Sequence, residues 1–149
     1  MKRLILLFLV LTLTACSSGG GTELSRNQQK WQDANIPNYR FTLNVGCFCA
    51  FRSQMPATVE VQDGEVVSIV GADGETISTT DPLNEYVLEY ATIDRLFAEL
   101  NSDSVQGADK LTVTYDPTYG FPSEISIDFI ERAVDDELTI TVSAFEPTP

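Results

Sequence analysis

The amino-acid sequence predicts an α+β domain, built as one antiparallel sheet of about six strands with helices on one face. Six segments alternate apolar and polar residues with a period of two, which is the pattern of half-buried strands. Two further segments carry apolar residues at helical spacing, and one of them precedes each group of three strands. The resulting order, α-βββ-α-βββ, lacks the strand–helix–strand alternation of a parallel sheet, so we expect antiparallel pairing.

A polar helix and the longest strand open the predicted domain. Residues 22–35 form a polar segment whose apolar pair is Leu24 and Trp31, which predicts a helix that packs through one face. Residues 39–49 then alternate strictly, which predicts a strand with both of its cysteines on the buried face. The apolar positions of this strand are Tyr39, Phe41, Leu43, Val45, Cys47 and Cys49.

A hairpin, a long loop and a second helix follow. Residues 57–62 and 65–70 alternate on either side of an Asp-Gly pair, which is typical of a two-residue hairpin turn. Residues 71–90 mix Gly, Asp and Thr with apolar residues and predict a loop. Thr92 is a capping residue type directly before the helix predicted over residues 93–100. One apolar stripe follows that helix, made of Ile93, Leu96, Phe97 and Leu100.

The last third of the chain predicts a three-strand meander. Its strands cover residues 110–115, 123–130 and 137–144, and its turns cover 116–122 and 134–136. The periodic apolar positions of all elements predict one core between the sheet and the helices. Its predicted members are Trp31, Phe41, Leu43, Val45, Val59, Val61, Leu96, Phe97, Leu111, Val113, Ile125, Ile127, Leu138 and Ile140.

The N-terminal segment has the layout of a bacterial lipoprotein signal peptide. Lys2 and Arg3 form a charged start, and residues 4–11 are apolar. Small residues then precede the cysteine in the lipobox Leu13-Thr14-Ala15-Cys16. A lipobox cysteine is acylated and becomes the first residue of the mature protein, so we expect Cys16 to carry lipid.

This interpretation divides the chain into a signal peptide (residues 1–15), a lipidated cysteine with a flexible linker (16–21) and a single α+β domain (22–149). A transmembrane helix is one alternative. A spanning helix needs roughly 20 apolar residues, however, and the apolar run of residues 4–11 is much shorter. A secretory signal without lipid leaves the cysteine at the first mature position unexplained.

We expect a domain outside the cytoplasm, lipid-anchored to a membrane of the cell envelope. In a host with two membranes this is the outer one, because Ser17 in place of Asp resembles the outer-membrane sorting pattern.

Charge and residue types argue against several classes of function. The formal net charge is −13, which makes nucleic acid and anionic lipid headgroups unfavourable partners. Because the chain contains no His, the usual general base is missing and a Ser-His-Asp triad is excluded. Hydrophobic residues make up 43% of the chain, which argues against a disordered acidic protein. We therefore expect no enzyme activity and no cofactor.

Cys47 and Cys49 are the only chemically reactive pair in the domain, and an oxidising compartment favours a disulfide between them. In a regular strand, residues i and i+2 lie roughly 6.6 Å apart, near the upper end of the disulfide range for Cα atoms. The bond therefore requires a bend or bulge, which Gly46 can supply. Two alternatives remain open. One is a redox role, with Arg52 as the nearest cation in sequence, and the other is a copper(I) site completed by Met55.

The turn of residues 116–122 is a candidate partner loop. It places Tyr119 and Phe121 beside the carboxylate of Asp116. Pro117 and Gly120 in the same turn also suit a tight turn in which the aromatic rings pack locally.

Carboxylates at Asp128 and at residues 135–137 raise the question of a calcium site. The alternating carboxylates and glycine of a calcium loop are absent there, so the sequence predicts a solvated turn and no metal site.

Several short motifs recur in a characteristic order along the domain. They are Trp31, Asn38-Tyr39-Arg40-Phe41, Cys47-Phe48-Cys49, Asp63-Gly64, Thr92-Ile93-Asp94-Arg95-Leu96-Phe97, Tyr115-Asp116-Pro117, Gly120-Phe121-Pro122 and Ile127-Asp128. In this order they resemble a family of secreted bacterial proteins and lipoproteins known only as a domain of unknown function. The resemblance covers about the whole mature domain. It implies the domain boundaries and no particular activity.

Two functions of different classes agree with these observations. The first is a non-enzymatic binding or envelope-accessory lipoprotein, whose partner is an envelope protein or a peptide. The tether, the flexible linker and the lack of a catalytic constellation favour it. The alternative is a thiol-redox or soft-metal-handling protein that uses Cys47 and Cys49.

Overall fold

The computed structural model describes residues 22–149. The predicted signal peptide, the lipobox cysteine Cys16 and the linker residues 17–21 lie outside the described residues. Between residues 22 and 149, no helix is both long enough and apolar enough to span a membrane.

One antiparallel sheet of six strands forms the framework, as the alternating segments predict. In chain order the strands are β1 (Tyr39–Gly46), β2 (Ala57–Gln62), β3 (Glu65–Val70), β4 (Lys110–Tyr115), β5 (Pro122–Asp128) and β6 (Glu137–Pro147). Their order across the sheet is β3-β2-β1-β6-β5-β4. Each group of three consecutive strands therefore forms one half of the sheet, and the pairing of β1 with β6 joins the two halves. The predicted α+β class is confirmed.

Four α-helices and two 3₁₀ turns accompany the sheet in the described part of the chain. The helices are α1 (Glu23–Ala34), α2 (Glu85–Leu88), α3 (Ile93–Leu100) and α4 (Asp103–Gln106), and the 3₁₀ turns are Ala50–Gln54 and Pro82–Asn84. Helices α1 and α3 are the two that the sequence predicts. The prediction of a loop throughout residues 71–90 is wrong, because α2 and the second 3₁₀ turn lie within it. Elements of three or four residues are too short to show a helical period.

Threonine caps explain where the two longer helices begin. The Thr22 hydroxyl accepts a hydrogen bond from the N–H of Ser25 at 3.2 Å, and the Thr92 hydroxyl accepts one from the N–H of Arg95 at 3.1 Å. Each cap satisfies an N–H group that the helix start leaves unpaired. Helix α1 ends at Asn35, whose φ of 47° is the left-handed conformation that Asn tolerates.

The two longer helices cover the same face of the sheet, and they meet it at Tyr39. The Trp31 ring of α1 packs edge-on against the Tyr39 ring, with centroids 5.5 Å apart. The Tyr39 hydroxyl accepts a hydrogen bond from the N–H of Ile93, at the start of α3, at 3.0 Å. Burial raises the pKa of Tyr39 to about 12, so the hydroxyl stays protonated near neutral pH. The predicted helix-covered face is therefore the one that carries the core.

The edge strand β4 departs from the predicted core. Leu111 pairs with Ile127 and Val113 pairs with Ile125 in the neighbouring strand, so both point toward the core face as their period predicts. Leu111 is nevertheless 36% exposed and Val113 is only half-buried. The helical cover does not reach the edge of the sheet, and the placement of Leu111 in the core is wrong. The other twelve predicted core residues are buried.

A bulge in β6 changes which residues face the core. The pairing of β1 with β6 shifts register between Arg40 and Thr42, opposite Ala144, which has a φ of 49°. The shift reverses the alternation, so Phe145 packs with its ring centroid 4.6 Å from that of Phe121. The strand predicted to end at residue 144 continues to Pro147 for this reason.

Candidate ligand-binding cleft

A cleft of about 730 Å³ opens at one end of the sheet. Its lining residues fall in three segments, 47–54, 81–90 and 129–138. The first segment follows the end of β1 and the third leads into β6, and these strands pair there through Gly46 and Thr139. We call this feature the disulfide cleft, because Cys47 and Cys49 belong to its lining. Its volume lies within the range of small-molecule sites.

The cysteines lie beyond the strand rather than in it. Strand β1 ends at Gly46, so the prediction of a regular strand through residue 49 is wrong. Residues 47–49 bend instead, and the Cα atoms of Cys47 and Cys49 lie 5.3 Å apart in a disulfide. This is the bend that the bond geometry requires. Both cysteines are half-buried, and Arg52 lies 5.7 Å from the centre of the exposed Phe48 ring.

Removal of the disulfide is expected to leave the domain folded. The bond closes a very short loop and removes little chain entropy from the unfolded state, so it stabilises by less than the typical 2–4 kcal/mol. A Cys47→Ser, Cys49→Ser double variant should unfold cooperatively, with a small decrease in melting temperature measured by circular dichroism. Wild-type protein treated with a reductant is the matched control. Loss of the cooperative transition in the variant would contradict this prediction.

Aromatic rings form much of the cleft wall. Phe51 is buried, Tyr90 and Phe129 are half-buried, and Phe48 and Tyr86 stand at the surface with 73% and 63% of their area exposed. Among the residues whose exposure the structure describes, Phe48 and Tyr86 are exposed hydrophobic residues of the lining itself, and Ile130 and Val134 are exposed on the segment 129–138 next to it. Exposed apolar residues concentrated around one concavity are typical of a binding surface.

Two buried oxygen atoms in the lining segments lack a hydrogen-bond partner. They are Oε1 of Gln54 and Oδ1 of Asp136. The other carboxylate oxygen of Asp136 accepts a hydrogen bond from the N–H of Ile130 at 2.7 Å, which fixes the side chain. Both oxygens have almost no solvent-accessible surface, and buried acceptors without partners cost free energy.

The charged side chains that line the cleft are acidic, whereas Arg52 lies beside the lining, over the Phe48 ring. The ionisable acids of the cleft are Asp81, Asp135, Asp136 and Glu137, and no Lys or Arg belongs to the lining. Desolvation, followed by repulsion from Asp136 and Glu137, raises the pKa of the neighbouring Asp128 carboxyl. Burial, then the carboxylates of Glu99 and Glu89, raise the pKa of Tyr90 to about 12. The Tyr90 hydroxyl is therefore neutral at physiological pH.

The candidate partner loop is not part of this cleft. Phe121 is buried and Tyr119 packs against Phe145 with ring centroids 5.6 Å apart. The Asp116 carboxylate accepts hydrogen bonds from N–H groups within the loop, at residues 118 and 119. The Lys30 ammonium of α1 donates to the Pro117 carbonyl. These contacts correspond to the local-packing alternative, and they leave Phe121 inaccessible to a partner.

The lack of a side chain at Gly120 lets α1 approach this loop closely. Substitution of Gly120 by alanine is therefore expected to destabilise the protein strongly. Gly120 has a φ of 81°, and an added Cβ would lie 2.7 Å from the Asn27 carbonyl oxygen. Gly120→Ala should lower the free energy of unfolding by about 2–4 kcal/mol, since backbone strain and overpacking add. Gly74→Ala is the matched control, because Gly74 has a φ of 83° and open space around its Cα. Urea unfolding should show a clearly larger loss at Gly120, and equal losses would contradict the contact with α1.

Neither the calcium nor the copper(I) alternative corresponds to a preformed set of metal ligands in residues 22–149. Across residues 22–149, no group of three or more His, Cys, Asp and Glu side chains is placed to hold a metal ion. Met55, the third ligand of the copper(I) alternative, packs against the hydrophobic core. Cys47 and Cys49 are bonded to each other, and a disulfide does not provide the thiolate ligands that copper(I) prefers.

Sequence reasoning missed most of the cleft. Tyr86 and Tyr90 lie in the segment predicted as a loop, and α2, which holds Tyr86, is too short to show a helical period. Gln54 and Phe129 carry no local signal of a site. The sequence draws attention to the cysteine pair through its chemistry and to the carboxylates of residues 135–137 as a possible calcium turn, and both sets line the cleft.

The fold and the cleft together define an α+β protein with one six-stranded antiparallel sheet and a ligand-sized cavity at one end of that sheet. The chain belongs to DUF6174, a family of unknown function, whose profile matches residues 23–147. This membership confirms that the motifs belong to a domain family of unknown function. Comparisons with curated proteins and with solved structures gave no match.

Proposed function

We propose that this protein is a membrane-anchored lipoprotein of the bacterial cell envelope, with a non-enzymatic domain that binds a ligand in the disulfide cleft. The observation that carries the proposal is a cleft of about 730 Å³ whose lining includes several aromatic rings and a few polar side chains, among them Gln54 and Asp136. Such a cavity, mainly apolar with a few placed polar atoms, is the usual form of a small-molecule or side-chain site.

The lipobox supports the anchored part of the proposal. Cys16 follows a charged start and an apolar run, and the glycine-rich linker after it would hold the domain away from the membrane. Bacterial lipoprotein cysteines carry several acyl chains, and more than one chain is needed for stable attachment.

Substitution of the lipobox cysteine tests the anchor. Cys16→Ser should abolish acylation and block processing after Ala15, so lipid-dependent attachment and the mature N-terminus are both lost. Mass spectrometry of the wild-type protein should find an acylated Cys16 as the first residue, and Ser17→Thr is a control that leaves the acylated position intact. A mature wild-type chain with an unacylated Cys16 would overturn the anchor.

Affinity capture with a blocked cleft tests the binding function. Ala50 is exposed and lines the cleft, so Ala50→Trp fills the cavity at little cost to the core. Val67→Trp is the matched control, because Val67 is exposed on β3 and does not line the cleft. The protein is purified from its own envelope, and small molecules and peptides that accompany it are identified by mass spectrometry. A compound retained by wild type and Val67→Trp but lost from Ala50→Trp supports the proposal; identical profiles in all three overturn it.

A thiol-redox function is the second candidate, and the position of the disulfide in the cleft favours it. A substrate bound there would lie beside the sulfur atoms. Arg52 lines a smaller neighbouring pocket together with Cys49 and lies over the Phe48 ring, so a positive charge of the kind that stabilises a reactive thiolate is placed beside the pair. Equilibration with glutathione buffers distinguishes the two candidates. A redox protein should titrate near the potentials of known thiol oxidoreductases, whereas a structural disulfide stays oxidised to below about −300 mV.

A further inference from the structure

We propose that the disulfide cleft selects an organic cation, a primary ammonium group carried on an apolar or aromatic body. This inference rests on the proposed binding function and specifies its ligand class. Three features of the cleft lead to it: the sign of its charge, the type of its unpaired polar atoms, and its aromatic wall.

The charge of the lining favours a cation over a neutral or anionic ligand. Four carboxylates line the cleft without a Lys or Arg among the lining residues. Desolvation, and then repulsion from Asp136 and Glu137, raises the pKa of the adjacent Asp128 carboxyl. A bound positive charge relieves this repulsion, and an anion would increase it.

Two residues of the cleft lining, Gln54 and Asp136, each hold an unpaired acceptor oxygen, so a ligand that pairs with either oxygen must supply a donor. Oε1 of Gln54 and Oδ1 of Asp136 are buried and without partners. An ammonium group has three donors and no acceptor, and its hydrogen bond to a carboxylate is roughly twice as strong as a neutral one. A carboxylate or phosphate ligand has only acceptors and would leave these oxygens unpaired.

The aromatic wall suits both parts of such a ligand. Phe51, Tyr90 and Phe129 supply apolar surface within the cleft, and Phe48 and Tyr86 are exposed at it. Aromatic faces attract cations through the ring quadrupole and also bury hydrocarbon. An alkylammonium or arylalkylammonium ion uses both properties, whereas a small hydrated metal ion uses neither.

Two sources present this chemistry, namely a free amine and the lysine side chain of a peptide. The experiment is isothermal titration calorimetry on the mature lipoprotein in phosphatidylcholine nanodiscs, with empty nanodiscs as the blank. The probes are 2-phenylethylammonium, the neutral 2-phenylethanol, the anionic 3-phenylpropanoate and the dipeptide acetyl-Phe-Lys-amide. We expect 2-phenylethylammonium to bind at least about tenfold more tightly than the alcohol, and the anion to bind more weakly still. Tighter binding of the dipeptide assigns a peptide source, and tighter binding of the free amine assigns a small molecule.

Charge-removing variants connect the selectivity to the cleft. Asp136→Asn should weaken amine binding about tenfold and leave alcohol binding unchanged, since asparagine retains an oxygen for the Ile130 N–H. Gln54→Leu tests the second acceptor with little change in volume. Glu124→Gln is the control, because it removes the same charge from an exposed position on β5 outside the cleft. Thermal unfolding verifies that each variant is folded.

The outcomes separate this inference from the proposed function. Equal affinities for amine and alcohol, or amine binding that Asp136→Asn does not weaken more than Glu124→Gln does, overturn the cation selectivity and leave a binding cleft. An identical capture profile for Ala50→Trp, Val67→Trp and wild type overturns the binding function itself, and the cation selectivity with it.

Discussion

Trp31→Ala should destabilise the protein by about 3–5 kcal/mol, the largest effect of any single substitution considered. Trp31 is the only buried residue of α1, and its ring makes edge-on contacts with Tyr39, Phe121 and Phe145. Its indole N–H also donates to the carboxylate of Asp94 in α3 at 3.2 Å. Truncation therefore removes the attachment of α1 to the sheet and leaves a cavity among aromatic rings.

Urea unfolding of Trp31→Ala and Trp31→Phe separates the two contributions. Trp31→Phe retains most of the ring packing and loses the Asp94 hydrogen bond, so a smaller loss of about 1–2 kcal/mol is expected. Gln32→Ala, at the next and exposed position of α1, is the control for helix propensity. A loss at Trp31→Ala no greater than at Gln32→Ala would mean that α1 is not packed on the sheet.

Leu96→Ala should cost about 2–5 kcal/mol in the free energy of unfolding. Leu96 is fully buried in the middle of α3, between the helix and the core face of the sheet. Its removal leaves a cavity that the neighbouring Phe97 and Leu100 cannot fill without moving the helix.

Leu111→Ala is the matched control for Leu96→Ala. The sequence period assigns both leucines to the core, but Leu111 is 36% exposed on the edge strand β4. We expect a loss of about 1 kcal/mol or less there, because much of its side chain remains in contact with water. Chemical denaturation of the two variants compares the same substitution in two environments, and equal losses would place Leu111 in a core that extends to the sheet edge.

Local patterns were sufficient for the main elements of the fold. The hairpin at residues 57–70 follows from alternation around Asp63 and Gly64, which both adopt the positive φ of its tight turn. Helix α3 follows from the Thr92 cap and one apolar stripe. These signals are readable because alternation, capping and turn chemistry involve residues close together in the chain.

Features that depend on distant neighbours, or on very short elements, could not be predicted from the sequence. Leu111 has the correct period, but its exposure depends on how far the helices extend over the sheet. The reversal of alternation at Ala144 is a bulge that appears only when β6 is paired with β1. Helix α2 has only four residues, which is too few for a periodic pattern to predict it.

By itself, the sequence determined the lipoprotein prediction, the α+β class, the order of the elements and the reactive cysteine pair. The tertiary structure decided that the cysteines lie beyond β1 and line a cleft with Tyr86, Phe129 and Asp136. It also showed that Phe121, which the sequence placed in a candidate partner loop, is buried in the core. The physical reason is that a cleft is formed by segments separated by tens of residues, brought together where β1 ends and β6 begins. Periodicity reports only the face on which a side chain lies, and it carries no information about what covers that face.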